Sequence, residues 1–294
     1  MASSSLRLPE WARKGDPLAA SARPLRMLLR ETGLHTVCEE ARCPNLGECF
    51  SRGTATFMLL GDHCTRRCAY CAVATARPEP PDPGEPERVA EAAARLGLRY
   101  VVLTAVARDD LADGGAAHFA STVRAVRRRV PGARVEVLTP DFRGQQSALA
   151  VVLDAEPDVF NHNIETVPRL FPRVRAQGSY PRSLELLAGA RSLRPGQATK
   201  SGLMVGLGES DAEIDAVLAD LRATGVDIVT IGQYLRPTRD HAPVARYVTP
   251  DGFRALERRA RSRGFPTVYS GVFVRSSFNA EEVFAGAPSL AGAR

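Results

Sequence analysis

The sequence predicts an α/β fold in which parallel strands are joined by helical crossovers. Three observations predict it. Short apolar runs recur along the chain and read as buried strands. Amphipathic segments of helical length separate them, and the strand-then-helix order repeats about six times. Polar residues gather just past the apolar runs, where folds of this class place their chemistry. An open doubly wound sheet and a barrel both satisfy this pattern, and the repeat count favours neither.

Taken in order, residues 1–24 are short on periodicity, rich in Ser, Pro and charge, and read as an irregular arm. Trp11, the one tryptophan, is a candidate anchor for it. The first residues (MASSSLRLPEWARKGDP) hold no continuous apolar stretch of the secretory kind, and Glu10 and Asp16 argue against a mitochondrial transit peptide. Residues 24–32 space their apolar side chains as a helix, ended by Gly33. The Pro/Gly-rich stretch ARCPNLGEC reads as loop. Strands are expected at 56–60, 100–106, 134–138, 158–164, 200–206, 226–231 and 266–271. Helices are expected at 85–97, 115–130, 144–155, 181–194, 209–224 and 250–264. Pro181-Arg182-Ser183 and the Glu209-to-Glu213 opening are start signals for two of them.

The polar clusters sit at run ends. Arg108-Asp109-Asp110 and Gly114-Gly115 follow the 100–106 run. Asn161 to Thr166 close the next but one, with Asn163 and Glu165 alternating onto one face and His162 onto the other. Buried polar groups need partners, so a ligand is a sensible partner for Asn163 and Glu165; His162 and His118 read as structural, and His35 and His63 at most support the neighbouring cysteines. Lys200-Ser201 open a run that Gly206 to Glu209 close, and Gln233-Tyr234 follow the last but one.

At 294 residues the chain can bury one large core or two small ones. No apolar run approaches the length of a membrane span. The net charge of +6 suits an acidic partner. Arg127-Arg128-Arg129 and the group Arg254, Arg258, Arg259, Arg261 and Arg263 read as solvated helix faces that could also receive an acidic carrier. Nucleic acid is disfavoured, because no aromatic residues interleave these charges. Only Lys14 and Lys200 are lysine, which makes a lysine-specific role for Lys200 as reasonable as chance survival.

All six cysteines fall in two triplets, Cys38-x4-Cys43-x5-Cys49 and Cys64-x3-Cys68-x2-Cys71. Three readings compete. Disulfide frameworks belong mainly to small secreted domains. Structural zinc takes four ligands, usually as two close pairs, and two groups of three fit that badly, with His63 poorly placed to complete a set. An iron–sulfur cubane held by three thiolates leaves one iron open for a substrate, a cofactor or an unusual ligand. Two triplets would then hold two such clusters.

The second triplet, with Tyr70 before its last cysteine, resembles the radical S-adenosylmethionine (SAM) enzymes. The first triplet, within HTVCEEARCPNLGEC and followed by FMLLGDHCTRRCAYC, is similar to that of the lipoyl synthase family. The resemblance implies a partial (β/α)6 TIM-like barrel of the radical SAM type. An N-terminal extension (1–54) would carry the first triplet, the barrel would span 55–271, and a C-terminal segment (272–294) would follow. It implies two [4Fe-4S] clusters at one mouth of the barrel. Cys64, Cys68 and Cys71 would hold the one that cleaves SAM. Cys38, Cys43 and Cys49 would hold an auxiliary one whose fourth iron is ligated by Ser277, the second serine of Arg275-Ser276-Ser277. Phe278 stands there where the family usually has Tyr, and Phe50 where Trp is common. Tyr70, Gly114, Gly115, Asn163, Glu165 and Lys200 would be SAM contacts. The implied reaction inserts sulfur at C6 and C8 of an octanoyl chain on a lipoyl carrier domain. That carrier would be the glycine-cleavage H protein or a 2-oxoacid dehydrogenase acyltransferase subunit. An electron donor is implied too, in a cytoplasmic setting, with no nucleic acid or membrane partner.

Overall fold

A computed structural model describes residues 6–14 and 20–285. Asp16 of the N-terminal arm and the tail beyond 285 lie outside the described residues. Among the described residues there are ten strands: β1 (His35–Thr36), β2 (Thr56–Leu59), β3 (His63–Cys64), β4 (Ala74–Thr75), β5 (Tyr100–Ala105), β6 (Arg134–Leu138), β7 (Val159–Asn161), β8 (Ala198–Val205), β9 (Ile228–Gln233) and β10 (Thr267–Gly271). Eight form one sheet in the order β1-β2-β5-β6-β7-β8-β9-β10. Its neighbours are parallel except β1, which runs antiparallel to β2. Six crossover helices join the seven parallel strands: Glu85–Arg95, Ala116–Arg129, Gln146–Leu153, Tyr180–Leu193, Asp211–Ala223 and Pro250–Ser262. The sheet ends at β1 and β10 without closing, so the chain is a partial TIM-like barrel.

Each crossover helix buries one face against the outside of the strands. Val89, Ala93, Phe119 and Val123 pack with Val101, Leu103 and Val135 in one core cluster. Ile214, Val217, Leu221 and Phe253 pack with Val229 and Ile231 in a second. Alternate residues on the strands face the lumen. There Tyr100, Val102, Val159 and Ala198 meet Ala280 and Phe284, on and beside the short helix Ala280–Ala285, which covers the amino ends of the strands. Trp11 does anchor the arm, packing against the second cluster with its ring 6.3 Å from that of Tyr247.

Two local expectations change. The first triplet is not all loop. Cys38 lies in the helix Val37–Glu40, where Thr36 Oγ1 caps the backbone N–H of Glu39, and Cys49 lies in Leu46–Ser51. These helices of one or two turns are too short to show a period. The run at 158–164 stops laddering at Asn161, and Glu165 takes φ +67 and returns to β8 only by an isolated bridge to Leu203.

Candidate functional site: two cysteine pockets

The second triplet occupies the loop past the carboxyl end of β2. The short parallel pair β3–β4 staples the loop base, Cys64 opposite Thr75. Ala69 N–H donates to Val174 O, Ala242 N–H donates to Ala69 O, and His241 Nε2 meets Cys71 O at 2.9 Å. Thr65 is held to Ala107 by both its backbone N–H and its hydroxyl. Arg66, itself within the triplet, is buried and makes a bidentate pair with Asp109 at 2.7 Å and a third contact to Asp141 at 2.6 Å. Burial raises the Asp141 carboxyl, but Arg66 outweighs it and holds the group below the usual carboxylate range. The loop is therefore fixed from three sides.

The thiols are close enough to raise one another. Burial first, then Cys68 and Cys64, push the Cys71 thiol up to about 12. Cys68 rises through burial, opposed by the Arg175 guanidinium. Arg175 is buried and donates to Asn163 O at 2.7 Å and to His162 Nε2 at 3.2 Å. Glu165 is raised by burial, against Arg175, Asn163 and Tyr70. Burial first, then the nearby Glu165 and Cys68, raise the Tyr70 hydroxyl. Asn163, Glu165, Tyr70 and Cys68 thus lie together.

The first triplet lines a separate pocket with Arg275, Ser277 and Phe278. Its walls include Thr56, Tyr100 and Val102, from the amino halves of β2 and β5. The two triplets consequently do not share one mouth: the second sits past the carboxyl ends, the first beside the amino ends, because the N-terminal extension adds on at the β2 edge. Burial and then Cys43 raise Cys49 to about 11 and lift Cys38 further. Lys14 bonds Asn45 and Glu48, each at 2.6 Å, and lies over the rings of Phe273 and Phe278. Asn45 Nδ2 donates to Phe273 O, tying the first-triplet segment to the C-terminal one.

The donor sets suit the clusters expected of them. All six cysteines are free thiols, so the disulfide reading is removed. Mutual repulsion among buried thiolates is the penalty that a cationic iron core would relieve.

Other candidates lie elsewhere. Lys200 is buried in the lower lumen, its ammonium 3.0 Å from both oxygens of Glu136, which also accepts from Tyr100 and Asn161. Gly114 and Gly115 take φ +62 and +90 at the entry to Ala116–Arg129 and pack against Phe142 and Leu60. His162 is buried with Nδ1 on Thr139 O, as a structural residue would be, and His118 pairs with Glu85. The basic runs are largely absorbed: Arg128 by Glu87, Arg129 by Glu91, and Arg259 and Arg263 by Asp215. Sequence reasoning missed Arg66, Arg175, Lys14 and Asn45. Arg66 and Asn45 each carried a signal, a place between two cysteines of one triplet.

The radical SAM superfamily profile matches residues 58–221, and the N-terminal domain of lipoyl synthase of the radical SAM family matches residues 1–43. The chain is 58% identical over 278 residues to a lipoyl synthase of Methylococcus capsulatus, covering 94% of this chain and 86% of that one. It is 56% identical over 274 residues to a lipoyl synthase of Rubrobacter xylanophilus, covering 93% and 85%. Two solved structures share its fold at 14% identity. One is a maturase of the [FeFe]-hydrogenase, with TM-score 0.58 and coverage of 92% of this chain and 70% of that one. The other is methylornithine synthase, with TM-score 0.56 and coverage of 82% and 73%.

Proposed function

The chain belongs to the lipoyl synthase family of radical SAM enzymes, and on that premise we propose a division of labour between its two pockets. The enzyme inserts sulfur into a protein-bound octanoyl group. Cys64, Cys68 and Cys71 would hold one [4Fe-4S] cluster, and Cys38, Cys43, Cys49 and Ser277 the auxiliary one. When loaded, the first supplies the electron that cleaves SAM and the second supplies the sulfur. Unactivated C–H bonds offer no acidic proton, which is why a radical cofactor carries the hard step and the protein's task is placement.

The chain's own groups perform that placement. Arg66 and the 171–175 turn fix the second-triplet loop. Asn163, Glu165 and Tyr70 offer SAM an amide, a carboxylate and a hydroxyl beside Cys68, and Gly114 and Gly115 would be further contacts. Residues 1–54 act as an extension that brings three auxiliary ligands to the 55–271 barrel, and 272–294 bring the fourth. A hydroxyl oxygen is a harder ligand than thiolate, so Ser277 is the labile corner. The observation that carries the reading is the shared pocket of Cys38, Cys43, Cys49 and Ser277, since the serine comes from the opposite end of the chain. The proposed carriers are octanoylated lipoyl domains of the H protein or of an acyltransferase subunit, served by an electron donor. The test is anaerobic incubation with an octanoylated carrier peptide, SAM and reductant. A 6,8-dithiolane product is expected; an unaltered octanoyl peptide would defeat the assignment.

A further inference from the structure

Ser276 and Ser277 are neighbours that serve different pockets. Ser277 lines the first-triplet pocket. Ser276 Oγ donates to Asn163 Oδ1 at 2.6 Å, on the other side of the segment. With Oδ1 taken, the Asn163 amide is fixed, and Nδ2 faces Glu165 Oε1 at 3.0 Å. Glu165 lies near Tyr70 and Cys68 at the second triplet. A thread of hydrogen bonds therefore runs Glu165–Asn163–Ser276, and the next residue is Ser277. Gly202 makes the junction possible. A Cβ there would lie 2.6 Å from both Asn163 Oδ1 and Ser276 Oγ, inside any tolerable contact.

We propose that Ser276 is a positioning residue that couples the two pockets, acting through Asn163 on Glu165. When Ser277 is held by the auxiliary ligand set, Ser276 is held too, and the Asn163–Glu165 pair keeps the orientation that receives SAM. When Ser277 is released, the Ser276 bond loosens and SAM binds less tightly. The chain then spends little SAM while it has no sulfur to give. Coupling of this kind is reciprocal, so SAM would also steady Ser277 in place. The inference rests on the assignment of Asn163 and Glu165 to SAM under the proposed function.

The test compares anaerobically loaded wild type with Ser276→Ala and Gly202→Ala. The first removes the hydroxyl; the second leaves it but displaces it from Asn163. Iron and sulfide content, equilibrium SAM binding and the ratio of 5′-deoxyadenosine to lipoyl peptide are measured on each. Both variants should keep full iron in both pockets, bind SAM roughly tenfold more weakly, as loss of one well-formed hydrogen bond allows, and release more deoxyadenosine per product. SAM binding within twofold of wild type in both would overturn the proposal. Loss of first-triplet iron with unchanged SAM affinity would overturn it as well, since Ser276 would then only brace the auxiliary ligands. Failure of wild type to make lipoyl peptide at all would count against the sulfur-insertion reading instead, and shows in a different measurement.

Discussion

Replacing Lys200 by Met tests whether this residue supports the barrel or contacts SAM. The Lys200 ammonium and the Glu136 carboxylate are buried in the lower lumen, 3.0 Å apart through both oxygens. Glu136 keeps Tyr100 at 2.8 Å and Asn161 at 2.7 Å when the lysine is lost, but neither carries a compensating charge. Removing one member of a buried ion pair costs about 3–5 kcal/mol, against a total stability of roughly 5–15 kcal/mol for a domain. Urea unfolding of the cluster-free chain, followed by circular dichroism, measures the loss. A Lys200→Met, Glu136→Gln double variant removes both charges and should recover most of it, to within about 1–2 kcal/mol of wild type. SAM cleavage by the surviving folded Lys200→Met enzyme should keep its KM. A single variant within about 1 kcal/mol of wild type, or one of normal stability with a raised KM for SAM, would refute the reasoning and restore Lys200 to the SAM site.

The other perturbations read different parts of the molecule. Ser277→Ala should leave most SAM cleavage at saturating SAM, with a raised KM for SAM, but remove sulfur transfer; full lipoyl product from that variant would end the auxiliary-ligand role. Cys68→Ala should abolish deoxyadenosine formation, so a normal yield by chromatography would refute its assignment. Gly115→Ala places a Cβ 2.4 Å from Leu60 Cδ1 at φ +90, and a loss of about 1–3 kcal/mol is expected by urea unfolding; an unchanged midpoint would contradict the packing. His162 is pushed down from 6.5 to about 3, first by burial and then by Arg175. The folded chain therefore keeps it neutral, and the unfolded chain protonates it first as pH falls. Its stabilisation is complete above pH 6.5 and is lost toward pH 3, at about 1.4 kcal/mol per unit. His162→Gln should flatten that part of the stability–pH curve, and an unchanged slope between pH 7 and 5 would sink the idea.

The barrel was legible because its strands and crossover helices are long enough for their periods to show. All seven parallel strands fall on runs read from the sequence, and the ends differ by a few residues. The helices Val37–Glu40 and Leu46–Ser51 were not legible, since the first is set by one cap and contact with β2 and the second by packing on the 20–32 segment, not by repetition. The cysteine triplets announced themselves by spacing. Arg175 did not, because its neighbours Cys68, Glu165 and His162 are distant in the chain and meet only in the fold. The opposed faces of Ser276 and Ser277 were equally hidden, since a serine pair in a sequence does not say where each hydroxyl points.

Iron and acid-labile sulfide, counted per chain after anaerobic preparation, test the two-pocket account most directly. Wild type should hold about eight irons, and variants lacking either the Cys38/Cys43/Cys49 set or the Cys64/Cys68/Cys71 set should hold about four. About four irons in wild type, all of them lost with one triplet and none with the other, would contradict it.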